Sequence, residues 1–396
     1  MIHKNLISKH FFFNKYSFLI GLFCITSFLF YNLLPTYGFS YSLYPAFYSI
    51  IYFLLYYNRI IRNKPHVTVF FYLFLVFISI LITFEIYTVN EVLFLITFTS
   101  VFLCIKENSH LLYVKFFLLT FLQIYFLIYI LEINVSYFFE LKQNLFLINS
   151  VEIGTYSRGY CGLDSEPSFF VLNVFSIWLS LFAINNFKPI SWYQVGLLIF
   201  LLLISRSGMI LLVFPLIILM NVRIRYYLLM ILTVIILSPY LIFTNSRASN
   251  IFHKLLDGNI FEILSYDASI SSRLFYIIKD FTISFNNYLL PFGPGSYFSL
   301  QELQYESIKG LHHMTSYNVA LAGSFLGYFI VQYGFLILIF SLVIAFKLYL
   351  KLSFIKTTLL LSFIIAILLQ QITLLFSPLS FCFGIFLTKL YKINEC

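Results

Sequence analysis

Residues 191–221 read SWYQVGLLIFLLLISRSGMILLVFPLIILMN: two apolar runs, Tyr193 to Ile204 and Met209 to Met220, parted by Ser205-Arg206-Ser207-Gly208. As one helix the stretch would be about 42 Å long at about 1.5 Å per residue, too long for a hydrocarbon core of about 30 Å. As two helices of about 14 residues, each reaches only about 21 Å. Flanking charge has to decide. Lys188 precedes the stretch and Arg223 and Arg225 follow it. Cations gather in cytoplasmic loops, so both flanks belong inside and the chain turns back at Arg206. A hairpin this short ends below the outer edge of the hydrocarbon and leaves the Arg206 guanidinium at membrane depth. A charge is tolerated there beside a water-filled cavity or a counter-ion. An arginine snorkelling to the outer headgroups is the plainer alternative. Ser205, Ser207 and Gly208 suit a tight turn under either reading.

The rest of the chain is of the same kind. Of its 396 residues 61% are hydrophobic and 10% charged, and the mean hydropathy is +0.95, which leaves too little polar surface to coat a soluble globule. The expected class is an all-α polytopic integral membrane protein. The net charge of +9 then follows from cytoplasmic loop cations and excludes a nucleic-acid reading. Cys24, Cys104 and Cys382 fall in apolar runs, Cys396 in the tail and Cys161 alone in an outer loop, so neither a disulfide nor a cysteine metal site is expected. Lys4, Lys9 and Lys15 lead into the apolar stretch from Tyr16 to Leu34, which has no small-residue cleavage site and reads as a retained signal anchor.

Apolar runs of spanning length predict helices near 16–34, 39–57, 67–84, 91–105, 111–131, 169–186, 226–243, 318–346 and 357–376, with a shorter one near 378–390. With the hairpin the total is about 12 transmembrane helices and both termini lie inside. That parity puts 16 of the 24 cations on the inner side, including the cluster Lys347, Lys351 and Lys356. The chain divides into spans one to five (1–131), a large outer loop (132–168), spans six to nine (169–243), a second outer loop (244–317) and spans ten to twelve (318–396). Four arginines, Arg158, Arg206, Arg247 and Arg273, fall at or beyond the outer edge, where the charge rule disfavours them and an anionic ligand would explain them.

Long outer loops are where function is expected. In the first, Phe138, Leu141, Leu145 and Ile148 recur at helical steps and predict an amphipathic surface helix. It continues into Arg158-Gly159-Tyr160-Cys161-Gly162-Leu163-Asp164-Ser165-Glu166-Pro167-Ser168-Phe169. Proline suits the first position of a helix, so the sixth span is predicted to begin at Pro167. Its free N–H groups form an anion site, with Ser165, Glu166 and Ser168 as caps, and Asp164 or Glu166 can act as a general base. Plain capping and a glycine turn at Gly162 is the bland alternative. In the second loop Ser271-Ser272-Arg273 opens a helix carrying Leu274, Ile277, Ile278, Phe281 and Phe285 on one face. It ends at Asn286-Asn287 before the turn Pro291-Phe292-Gly293-Pro294-Gly295. His312 and His313 precede a span opening at Asn318, and Gly323 and Gly327 form a small-xxx-small pair in that span. No acid or third histidine stands at ligand spacing, so no metal is expected.

With these residues in view the chain resembles the O-antigen polymerase family, the Wzy-type membrane glycosyltransferases, and more distantly the O-antigen ligases. The resemblance rests on Gly162 to Ser168, Ser205-Arg206-Ser207-Gly208, Ser272-Arg273 with the Pro291 to Gly295 turn, and His312-His313 before Tyr317-Asn318. It covers roughly Arg158 to Gly334. His313 stands five residues before Asn318, whereas ligase-like relatives set histidine beside asparagine. The resemblance implies a GT-C-like architecture in the bacterial inner membrane, active at the periplasmic face. The implied reaction moves the growing glycan from undecaprenyl pyrophosphate to the non-reducing end of a new lipid-linked repeat unit. It needs no cofactor, and a chain-length regulator is an implied partner. Arg206 and Arg273 would grip the pyrophosphates, as arginine does in a low-dielectric site, and Glu166 or His313 would serve as base. Arg158, Arg247, Asp164, Ser168, His312 and Asn318 would bind the substrate, with Tyr156, Tyr160, Tyr297 and Tyr317 as candidate sugar platforms. The rival readings are an O-antigen ligase and a transporter such as a lipid-linked oligosaccharide flippase. Unequal outer loops, no visible repeat and no matched Gly/Pro-broken segments speak against the transporter.

Overall fold

The computed structural model describes residues 15–29, 47–48, 50–51, 96–98, 100–102, 105, 108–134, 160, 167–205, 207, 209–222, 277, 279–292, 325–370 and 377–391. Among them there is no strand. Nine helices are α1 (Lys15–Phe28), α2 (Asn108–Asn134), α3 (Pro167–Ile184), α4 (Trp192–Ser205), α5 (Ile210–Asn221), α6 (Phe325–Tyr333), α7 (Phe335–Tyr349), α8 (Phe354–Gln370) and α9 (Ser377–Tyr391). A further helical stretch covers 279–286. Among the described residues one helix, over His110–Asn134, is by itself long and apolar enough to cross a membrane. Several others are apolar but shorter. The predicted spans near 67–84 and 226–243, and the predicted surface helix of the first outer loop, lie outside the described residues.

The predicted start at Pro167 and the predicted interruption after Ser205 are both present, the latter as the gap between α4 and α5. The chain forms two compact units that do not follow the five sequence segments. The first comprises Met1–Val76, Val89–Ser205 and Leu375–Cys396, and the second Phe77–Thr88 and Arg206–Leu374.

In the first unit α3 is the centre. Apart from Asn173, Ser176 and Ser180 it is apolar, which suits a helix surrounded by others, and every residue from Phe170 to Ile184 is buried. It packs against α2, α4 and α9. Trp178 stacks on Phe182 at 5.4 Å between ring centroids, and Phe187 meets Phe182 at 5.7 Å and Phe386 at 5.3 Å. The end of α3 shows why Phe187 is placed there. Phe187 N–H donates to Phe182 O and Asn186 N–H to Ala183 O, a Schellman closure that needs a left-handed residue after the helix. Asn186, at φ 55°, supplies it, asparagine being among the side chains that tolerate this region. In α9, Gly384 admits the stretch 96–102: a Cβ there would lie 2.6 Å from Val101 and 3.0 Å from Phe98 O.

In the second unit the apolar run read as one span over 318–346 is divided. α6 and α7 meet at Gly334 with a bend of 119°. The cause lies 45 residues upstream. The stretch 279–286 also ends in a Schellman closure, Leu289 N–H to Ser284 O and Tyr288 N–H to Phe285 O, with Tyr288 at φ 53° and Leu289 at φ 58°. Leu289 O then accepts from Phe335 N–H at 2.8 Å, satisfying the first orphan donor of α7. Gly334 sits at φ 52°, and a Cβ on it would collide with Leu289 O and lie 2.8 Å from Pro291 N. Glycine is therefore required by backbone and space together.

Candidate functional site

At one end of the first unit a buried polar node joins four helices. Phe28 O, an orphan carbonyl at the end of α1, accepts from Tyr125 Oη–H and from Asn173 Nδ2, each at 2.8 Å. Asn173 Nδ2 also donates to Tyr125 Oη at 2.7 Å. Tyr160 enters this node from the first long loop: its hydroxyl donates to Tyr125 O at 2.7 Å and its backbone N–H to Ile204 O, near the end of α4, at 3.0 Å. Its ring meets Tyr129 at 5.2 Å and Phe170 at 5.0 Å, both edge to face. Interhelical hydrogen bonds of this kind contribute about 1 kcal/mol each between membrane helices.

These bonds bring the C-terminal ends of α1, α2 and α4 to the N-terminal part of α3. Other bonds gather at the opposite end. Lys389 Nζ donates to Asn186 Oδ1 at 3.2 Å, and Thr388 Oγ1–H to Phe102 O at 3.3 Å. In the second unit Lys356 Nζ donates to Met220 O and Val222 O, each at 3.3 Å, capping the end of α5 with a cation. Every pair joins residues that loop charge assigns to one side of the membrane: Phe28, Tyr125, Tyr160, Asn173 and Ile204 to the outer side, Phe102, Asn186, Thr388 and Lys389 to the inner, and likewise Met220, Val222 and Lys356.

The second unit holds a buried ionisable pair. Lys279 and Asp280 are both buried at the start of the 279–286 stretch, and Gln332 is fully buried one residue before the end of α6. Burial pushes the Lys279 ammonium below its ordinary value, and the neighbouring Asp280 carboxylate partly opposes this. Burying such a pair costs desolvation energy that apolar side chains of similar size would not, so stability alone does not account for it.

Of the sequence-predicted site residues, Ser168 lies in the first turn of α3, half-buried. Arg158, Asp164, Glu166, Arg206, Arg247, Arg273, His312, His313 and Asn318 lie outside the described residues. The reading of Tyr160 as a sugar platform is corrected: the ring is buried and its hydroxyl committed to Tyr125 O, so no face is open for stacking. Residues the sequence reading passed over are Tyr125, Asn173, Lys279 and Asp280. The signal for Asn173 was an amide inside an otherwise apolar span, and for Asp280 an acid inside the apolar period of a helix. Compared with protein-family models, with curated proteins and with solved structures, the chain shows no match.

Proposed function

We propose that this protein is a polymerase of lipid-linked repeat units in the bacterial inner membrane, with about 12 spans, a GT-C-like architecture and its active face to the periplasm. In this reading an acceptor sugar hydroxyl at the non-reducing end of a new unit attacks the anomeric carbon of the growing chain. The bond to undecaprenyl pyrophosphate breaks and the pyrophosphate leaves with the electron pair. Arg206 and Arg273, seconded by Arg158 and Arg247, stabilise the charge that develops, and Glu166 or His313 takes the hydroxyl proton. The supporting observation is the sorting of hydrogen bonds by helix end. The bonds of Phe28, Tyr125, Asn173 and Tyr160, of Phe102 with Thr388, of Asn186 with Lys389, and of Lys356 with Met220 and Val222 each pair residues that the loop-charge reading expects on one side, which supports the parity from which the outer position of the arginine-bearing loops is inferred.

The transporter reading gains one observation, since the bend at Gly334 supplies the kind of broken helix that transporters use. Against it, the N–H freed at that break is taken by Leu289 O, a backbone group of the chain itself. Deletion in the source cell separates the readings. Loss of a polymerase leaves lipopolysaccharide capped with a single repeat unit, loss of a ligase leaves core with none, and loss of a flippase leaves the outer-face intermediate unfilled.

A further inference from the structure

We propose that the turn over 287–292 is a strap that keeps the α6–α7 segment bent, and that release of the strap lets the segment close into one continuous helix. The inference is independent of the polymerase reading. Its ground is a competition for two backbone groups. In an uninterrupted α-helix Phe335 N–H would donate to Val331 O, four residues back. The strap occupies both ends of that bond: Leu289 O accepts from Phe335 N–H at 2.8 Å, and Phe292 N–H donates to Val331 O at 3.4 Å. One residue earlier the ladder is intact, with Gly334 N–H on Ile330 O at 2.8 Å. The strap therefore stands in the place of one helical bond, and the 119° bend lies at that point.

Each form carries a cost, which makes a two-state element of the pair. The bent form holds Tyr288 at φ 53° and Leu289 at φ 58°, left-handed positions that glycine adopts freely and residues with a Cβ do not. The straight form gives up two bonds to the strap, regains one, and carries Gly334 inside a helix, where glycine is the poorest residue after proline. Both halves are apolar, and together they meet the length and composition of a membrane span. The joined helix would be about 37 Å long, enough for a hydrocarbon core of about 30 Å, whereas α7 alone reaches about 22 Å. Docking of the strap thus decides between a span and a bent pair. It ties that choice to the 279–286 stretch, which holds the strap through Leu289 N–H on Ser284 O at 2.8 Å.

The test places spin labels at Leu326 and Phe346 of the full chain, its native cysteines replaced, in liposomes. At about 1.5 Å per residue on either side of the bend, the labels lie about 16 Å apart in the bent form and about 30 Å apart in the straight one. Tyr288 is the position to vary, because its side chain is 88% exposed and a change there acts through the backbone. Tyr288→Val sets a β-branched residue at a positive φ and is expected to raise the long-distance population about fivefold. Tyr288→Gly relieves the same φ and is expected to lower that population about fivefold. Opposite shifts from one exposed position separate the strap from general loss of folding, which would broaden both distributions. The short distance alone in wild type and both variants overturns the proposal, as does a long population that both variants move in the same direction. Should Tyr288→Val not accumulate, wild type and Tyr288→Gly carry the comparison, and equal long-distance populations in these two overturn it.

Discussion

Gly334 carries the sharpest constraint at the scale of single residues. Gly334→Ala puts a methyl into the Leu289 carbonyl at a positive φ, so it should destabilise the protein by at least about 2 kcal/mol, read as a lower midpoint of thermal unfolding in detergent. An unchanged midpoint would mean that the 287–291 turn does not seat against the break. Lys279 gives a pH dependence. Its folded value lies below its ordinary one, so between the two the unfolded chain binds a proton that the folded chain does not. Stability should therefore fall as pH drops through that alkaline window, and Lys279→Met should flatten the slope. Arg206→Ala and Arg273→Ala should abolish chain extension while the protein still accumulates, and Arg206→Lys should fail too where planar bidentate contact matters. Wild-type glycan ladders from these variants would end the anion-grip idea. Legibility at this scale was uneven. Pro167 announced its helix start because proline acts locally, whereas Asn173 bonds a carbonyl 145 residues away, which no spacing rule registers.

Helices show the same division between local and distant causes. The interruption after Ser205 could be read because Ser, Arg and Gly punctuate an apolar run, and the end near Asn286 because two asparagines follow it. The division of the run 318–346 at Gly334 could not, since α6 and α7 are both apolar and the deciding partner is Leu289 O. Lys356 was legible as an inner-side cation but not as the cap of α5. Lys356→Met should remove both bonds to Met220 and Val222 and cost about 1 kcal/mol, measured by the same unfolding assay. Equal stability of this variant would show that water satisfies those carbonyls as well as the ammonium does.

For the whole molecule, composition gives the all-helical, apolar class and loop charge gives an expectation of sidedness, while the grouping of helices into two units cuts across the order of loops and spans. The last helix, α9, belongs to the same unit as α1 and α3, because its glycine face and aromatic rings complete that core. In the proposed polymerase reading arginines rather than a metal meet the charge on the departing pyrophosphate, so chelators should leave the rate unchanged, and a loss with EDTA reversed by a divalent ion would contradict this. The most direct measurement is reconstitution of the purified chain with lipid-linked repeat units alone. The account predicts a ladder of glycans lengthened by whole units, absent from Arg206→Ala, whereas movement of intact units across the bilayer with no new glycosidic bond would contradict it.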